Sequence, residues 1–304
     1  MRVTCGLIVP LLLAPVAWAQ PPEKTAVAQK LAALQACKYL QILQQPDGSF
    51  LPAAPDAKLD NAKGSLRATS GAIRALKYFG GEVPNREATA QFVKGCFDES
   101  SGGFSDMPGG KTDVSLTAIG IMAAVELKLP RDPYVRRAVA YLAEKAKGFE
   151  DVRIAVAGME GANEFPEVVK TWHEEVLKAG NGDGTWGKDD KARATGSAVA
   201  LLLRSGGKLG NAERQKAFEA MRGGQNADGG FAKASDASSE LESSYRILRA
   251  FHMMKEKPKD VAKLREFIAK CHNADGGYAV APGQPSSVSG TYYAAIIQHW
   301  LDEK

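Results

Sequence analysis

The side chains able to do chemistry in this 304-residue chain are few, and their spacing is unhelpful to most mechanisms. The four histidines, His173, His252, His272 and His299, lie late in helical segments or beside turns. No pair has the H-E-x-x-H spacing that turns two imidazoles toward one zinc ion. The cysteines include no C-x-x-C pair, and there is no G-x-S-x-G elbow and no Ser–His–Asp order. What remains are acids and hydroxyls at the starts of helical segments: Asp113 and Ser115 in "DVSLTA", Glu242 and Ser244 in "LESSYRIL", and Asp189–Asp190 before "KARATGSA". A helix start offers free N–H groups and the positive end of the dipole, which suit polar and anionic ligands. Asp113, Ser115, Glu242 and Ser244 are therefore the candidate ligand contacts. Asp113 has a second role open to it, capping its own helix. Asp189 and Asp190 could form an acid pair or be solvated loop charges.

A second set of acids recurs with a fixed neighbourhood. Asp47, Asp183, Asp228 and Asp275 each precede a glycine and then an aromatic, in "QQPDGSF", "GNGDGTW", "QNADGGF" and "CHNADGGY"; "SSGGF" at Phe104 is a further copy. Phe231 and Tyr278 are 47 residues apart, a spacing that implies a repeat architecture. Phe149, in "KGFEDV", is expected to be a sixth copy that has lost its Asp-Gly-Gly. A residue repeated in every unit points to architecture: glycine supplies positive φ, and the aspartate bonds nearby backbone N–H groups.

Each glycine turn joins two kinds of helix. Segments such as "DPYVRRAVAYLAEKA" and "DVAKLREFIAKCH" repeat apolar residues at three and four and carry charge on one face. Segments such as "DVSLTAIGIMAAVELKL", "RATGSAVALLLRSGG" and "SGTYYAAIIQHWL" are small-residue-rich and apolar round most of their circumference, which predicts burial. Six such pairs predict an all-α fold, an α6–α6 toroid of two concentric rings. An open solenoid would need polar end repeats, and the final "YYAAIIQHWL" is not polar.

Residues 1–19 stand apart: Arg2, an apolar run from Gly6 to Val16, and Ala17-Trp18-Ala19 before Gln20 form a secretory signal pattern. The expectation is an exported protein, periplasmic or extracellular, comprising residues 20–304 with no membrane span after cleavage. Cys37, Cys96 and Cys271 remain, as buried hydrophobes or with one pair bridged. The formal charge of +4, or +3 without Arg2, and the scattered Lys and Arg argue against nucleic acid as a partner.

The repeat resembles that of the terpenoid cyclase and protein prenyltransferase β-subunit superfamily of α–α toroids. "QNADGGF" and "QQPDGSF" also match the Q-x-x-x-G-x-aromatic repeat of triterpene cyclases. The resemblance covers roughly residues 25–302. It implies a ligand in an apolar cavity inside the inner ring. It also locates what is lost. At the prenyltransferase Asp-x-Cys zinc motif stand Glu242 and Ser244, and Gly290 occupies the zinc histidine's place. At the cyclase Asp-x-Asp-Asp-Thr-Ala acid, "DVSLTA" keeps Asp113 and Thr117-Ala118 but has Ser115 at the proton donor. The expectation is therefore no metal and no cofactor. The favoured function is binding of an isoprenoid- or lipid-like hydrophobic small molecule in the cavity, or of a protein partner on the rim, where loop 52–64 is a plausible contact. The alternative is an active prenyltransferase-like transferase (geranylgeranyl- or farnesyltransferase β-like) or a terpenoid cyclase.

Overall fold

Charged and small-residue segments alternate along the chain, and this alternation sorts the helices into two rings. The computed structural model describes residues 22–55, 63–235 and 237–303, so the signal pattern and the middle of loop 52–64 lie outside the described residues. The outer helices are α1 (Pro22–Gln41), α3 (Arg86–Gly95), α5 (Arg136–Lys145), α7 (Val168–Lys178), α9 (Asn211–Gly223) and α11 (Val261–Lys270). The inner helices are α2 (Leu66–Phe79), α4 (Val114–Glu126), α6 (Gly148–Ala162), α8 (Lys191–Arg204), α10 (Leu241–Met254) and α12 (Val288–Asp302). Each inner helix packs on the next, and α12 packs on both α10 and α2. The inner ring is closed, as the repeat predicts. Two-residue strands β1 (Phe104–Ser105) and β2 (Thr112–Asp113) pair antiparallel at one turn. Among the described residues no helix is long and apolar enough to cross a membrane.

Small residues let the inner helices touch backbone to backbone. A Cβ on Gly158 of α6 would stand 2.9 Å from the Ala118 Cα of α4, and one on Gly196 of α8 the same distance from the Ile247 Cα of α10. Interiors this dense lose stability when a single methyl is forced in.

The glycine turns do three jobs at once. The aspartate accepts the backbone N–H two residues on: Asp47 from Ser49 at 2.9 Å, Asp228 from Gly230 at 3.0 Å, Asp275 from Gly277 at 3.0 Å. The aromatic that follows is buried, and its backbone N–H donates to a hydroxyl in the first turns of the next inner helix. The pairs are Phe50 to Thr69, Phe104 to Thr117, Trp186 to Thr195 and Tyr278 to Thr291, each at 3.0 Å, and Phe231 to Ser244 at 3.1 Å. The glutamine of the repeat clamps the neighbouring unit. Gln225 accepts from the Asp260 N–H at 2.8 Å and donates to the Asp260 carbonyl at 2.9 Å, and Gln44 does the same at Asn85. Both partners are N-caps of outer helices, so the clamp sets where the next helix begins.

Phe149 departs from expectation. Helices α5 and α6 are separated by only Ala146 and Lys147, and Phe149 lies in the first turn of α6 rather than closing a glycine turn. Without the turn, α6 carries two acids, Glu150 and Asp151, in its first turn, where α10 carries one and α2, α4, α8 and α12 carry none.

Candidate functional site

The inner ring encloses a cavity of about 430 Å³, open at the end where the inner helices start. Its lining corrects the expectation of an apolar hole. On α2, Arg67 and Arg74 are seven residues apart with Ser70 and Gly71 between, so they share one face and point inward together. Helix α6 contributes Glu150, Asp151 and Arg153, α8 contributes Arg204, and α10 contributes Glu242, Tyr245 and Arg246. Tyr292 and Tyr293 come from α12. Arg249 joins Arg204 and Tyr245 in a small recess below. The inner helices are apolar where they meet one another, while α2, α6, α8 and α10 turn arginines toward the hole and α4 and α12 turn hydroxyls, apolar side chains and tyrosine rings.

One side of the cavity is an ion-pair ladder. Arg193 meets Glu242 at 3.3 Å, Arg246 meets Glu242 at 2.8 Å and Glu150 at 3.1 Å, and Glu150 meets Arg153 at 2.9 Å. The Arg246–Glu150 pair joins α10 to α6, which are not neighbours in the ring, so it crosses the hole. Lower down, Glu160 in the last turn of α6 takes both Arg204, at 3.4 Å, and Arg249. Burial pushes the Glu150 carboxyl up, but Arg153 and Arg246 outweigh it and hold the group below the ordinary range.

The opposite wall is different. Among the described residues Arg74 has no carboxylate partner. Its guanidinium donates to the Met122 sulfur at 3.3 Å and lies over the Tyr292 ring, 4.6 Å from the centroid. Tyr292 is 8% exposed and its hydroxyl has no hydrogen-bond partner among the described residues. Tyr245 stacks on Trp300 at 5.6 Å and neighbours Tyr292 and Tyr293 at 5.8 and 5.2 Å.

The structure divides the four sequence candidates. Ser115 and Glu242 line the cavity. The Ser115 hydroxyl receives the Arg67 guanidinium at 3.4 Å. Asp113 is the N-cap of α4 and accepts the Leu116 N–H at 2.7 Å. Ser244 is fully buried, accepting from the Phe231 N–H and donating to the Glu240 carbonyl at 2.9 Å. It is the unit's turn lock. The arginines of the lining were missed by sequence reasoning. Their signal was present: a helix predicted to be buried that still carries arginines at helical spacing must hide them in a polar interior.

A zinc ion does not fit these residues. Glu242 is committed to two guanidiniums, the Ser244 hydroxyl is committed to the turn, and Gly290 has no side chain. A Cβ on Gly290 would stand 2.4 Å from the Tyr278 carbonyl oxygen. Among the described residues no three His, Cys, Asp or Glu side chains converge as a metal set.

A family model described as the prenyltransferase alpha-alpha toroid domain matches residues 23–145 and 155–302. The chain belongs to that family. The toroid is similar to a variant of the type II terpene cyclase MstE from Scytonema in complex with geranylgeranyl dihydroxybenzoate, with 12% identity over 91% of this chain and 98% of that one and a TM-score of 0.64. It is similar to Candida albicans protein geranylgeranyltransferase-I complexed with GGPP, with 13% identity over 89% and 91% and a TM-score of 0.66. A glycosidase shares the fold as well, with 11% identity over 93% and 99% and a TM-score of 0.62. None of the curated protein sequences matches. At these identities the likeness is one of fold, and the fold carries more than one chemistry. The toroid's function has to be argued from its own cavity.

Proposed function

We propose that this toroid binds a small acidic molecule with an apolar body in its central cavity, without the zinc or carboxylic-acid chemistry of the enzymes it resembles. Arg74 carries the reading. A guanidinium that faces the cavity with no carboxylate partner among the described residues, beside a buried phenol whose hydroxyl has no hydrogen-bond partner among them, is a group prepared for an anion. Ile119, Met122, Ile154 and the Tyr292 and Tyr293 rings supply apolar surface for the rest of the molecule. A volume of about 430 Å³ suits a ligand of drug-like size.

The ligand named for MstE, geranylgeranyl dihydroxybenzoate, joins an isoprenoid chain to a benzoate. An isoprenoid or lipid-like acid of that general form suits this cavity better than a bare hydrocarbon, whose transfer would leave Arg74 desolvated and without an anion. Ser115 and Glu242 serve as polar contacts at the mouth. Asp113 and Ser244 serve the scaffold. Export, with the signal pattern removed after Ala19, places the binder outside the cytoplasm.

Mass spectrometry of organic extracts from the native, exported protein tests the reading. An acidic amphiphile bound at about one per chain, and lost in Arg74→Met, is the expected outcome. A clean extract together with no binding of model acids rejects it, and stoichiometric turnover of an isoprenoid substrate would restore the enzymatic alternative.

A further inference from the structure

Tyr245 sits where the guanidiniums are densest. Its ring is clamped between Trp300, Tyr292 and Tyr293, and it lines both the main cavity and the recess below it. The charged groups around it come from its own helix and from α2, α6 and α8, while α12 presents Ser289, Tyr292 and Tyr293. Helix α2 supplies Arg67 and Arg74, α8 supplies Arg193 and Arg204, and α6 supplies Arg153 with Glu150, Asp151 and Glu160. Its own helix supplies Glu242, Arg246 and Arg249, while α4 presents only Ser115, Ile119 and Met122. Seven guanidiniums thus face four carboxylates. Arg204, Arg246 and Arg249 are largely buried, and there uncompensated charge is costly. The groups left that could supply a negative charge are phenols: Tyr245, Tyr292 and Tyr293 in the cavity, with Tyr78 on α2 beyond Arg74.

Among these, Tyr245 is the phenol that lines the recess with Arg153, Arg204, Arg246 and Arg249, where the lining holds no carboxylate among the described residues. Burial pushes its phenol up, but Arg204, Arg74 and Arg249 outweigh burial and hold it well below the usual phenol range. Tyr292 moves the other way, pushed up by burial despite Arg74, with the neighbouring Tyr245 adding to the rise. Tyr293 is pushed up as well, by burial and by Glu242. Burial and the guanidiniums thus push the phenols of the cluster apart, Tyr245 down and its neighbours up.

We propose that Tyr245 stands in this cavity as a phenolate, an internal anion that an incoming acid replaces: the ligand's anionic group takes over Arg74 and Arg204, and Tyr245 takes up one proton. The inference rests on the binding reading above and adds a proton to it. The balance is simple. A ligand arriving as its anion draws the proton from solvent, one arriving as the neutral acid hands over its own, and no other bond changes. Binding then tightens as pH falls through the range in which Tyr245 titrates, because the proton is bound together with the anion.

The test is the ultraviolet absorption of tyrosinate in the full folded chain, followed against pH with and without decanoate or inorganic phosphate. The expected result is one tyrosine ionising far below the others, absent in Tyr245→Phe, with its midpoint raised by about one pH unit or more at saturating acid, a tenfold change in proton affinity. A response to phosphate and decanoate alike supports an oxyanion as the displacing group, and a response to decanoate alone supports a carboxylate that also needs a tail. Arg74→Met leaves the phenol in place and should raise the same midpoint, which keeps the test alive if Tyr245→Phe fails to fold. No low-range tyrosinate, or one that survives in Tyr245→Phe, overturns the proposal. Decanoate binding measured by calorimetry with no proton uptake overturns it while the binding reading stands. A low-range tyrosinate with neither acid bound removes the binding reading, and the displacement with it.

Discussion

Gly276 lies against the backbone of Gln35: a methyl group on the glycine would stand 2.7 Å from the Gln35 carbonyl oxygen. This is how the ring shuts. Gly48 meets Ala88, Gly184 meets Glu213 and Gly229 meets Lys263 in the same way, each turn glycine seated on the outer helix of the following unit. At the end of the chain, the following unit is the first one. Gly276→Ala combines a φ of +88° with this collision and should cost about 2–4 kcal/mol in denaturant unfolding. Gly283, at φ +79° with no atom within 4 Å of an added Cβ, is the control; its alanine variant should lose only about 1–2 kcal/mol. Equal losses at the two sites would mean that the closing contact contributes nothing.

Rebuilding the family's zinc ligands should fail. In Ser244→Cys with Gly290→His, the thiol replaces a good hydroxyl partner of the buried Phe231 N–H, and the imidazole's Cβ meets the Tyr278 carbonyl. The expected outcome is a loss of about 2–4 kcal/mol in stability. Elemental analysis of the purified double variant should find no stoichiometric zinc. Zinc at one per chain would show that the site was one step from function.

Arg74 and Glu160 should separate binding from stability. Arg74→Met removes a guanidinium that has no carboxylate partner among the described residues, so the melting temperature should hold or rise while affinity for an acidic ligand falls at least tenfold, about 1.4 kcal/mol. Glu160→Gln strips the partner from both Arg204 and Arg249 and should destabilise by about 1–3 kcal/mol. That range is set below the loss for a fully buried pair because Glu160 remains 32% exposed. A large destabilisation in Arg74→Met would show that it is a structural cation.

The cysteines should be silent until the chain unfolds. Cys37, Cys96 and Cys271 are unbridged and buried. Burial pushes all three thiols up, Cys96 and Cys271 to about 12, so the reactive thiolate is scarce at neutral pH and access is blocked as well. Alkylation at pH 8 should modify none in the native protein and three after denaturation, or four if Cys5 is retained. Rapid native labelling of Cys96 or Cys271 would contradict this packing.

Much of the scaffold was legible because its causes are local. Asp228, Gly229 and Phe231 sit within four residues of one another, so the turn, its positive φ and its aromatic plug can be read from one short string. The departure at Phe149 has a local cause too: Gly148 alone, at positive φ, leads straight into α6 without the Asp-Gly-Gly string of turns such as that at Phe231. The place of Ser244 was not legible, for the opposite reason. Its partner, the Phe231 N–H, is thirteen residues away, and the same residue type at a helix start serves a ligand or a lock equally well.

The cavity's character was not legible. Arg74, Arg204 and Arg246 are ordinary arginines in sequence, and whether each is solvated, paired or aimed at a ligand depends on residues far away in the chain. Arg246 meets Glu150 across 96 residues and across the hole. By itself the sequence determined the repeat, the two kinds of helix and the closed double ring, because period, glycine φ and helix amphipathicity act within a turn or two. Only the tertiary structure decided that the hole is cationic, that Arg74 lacks a carboxylate and that Tyr245 lies among guanidiniums, because electrostatic partnership is set by distance in space after the ring has closed.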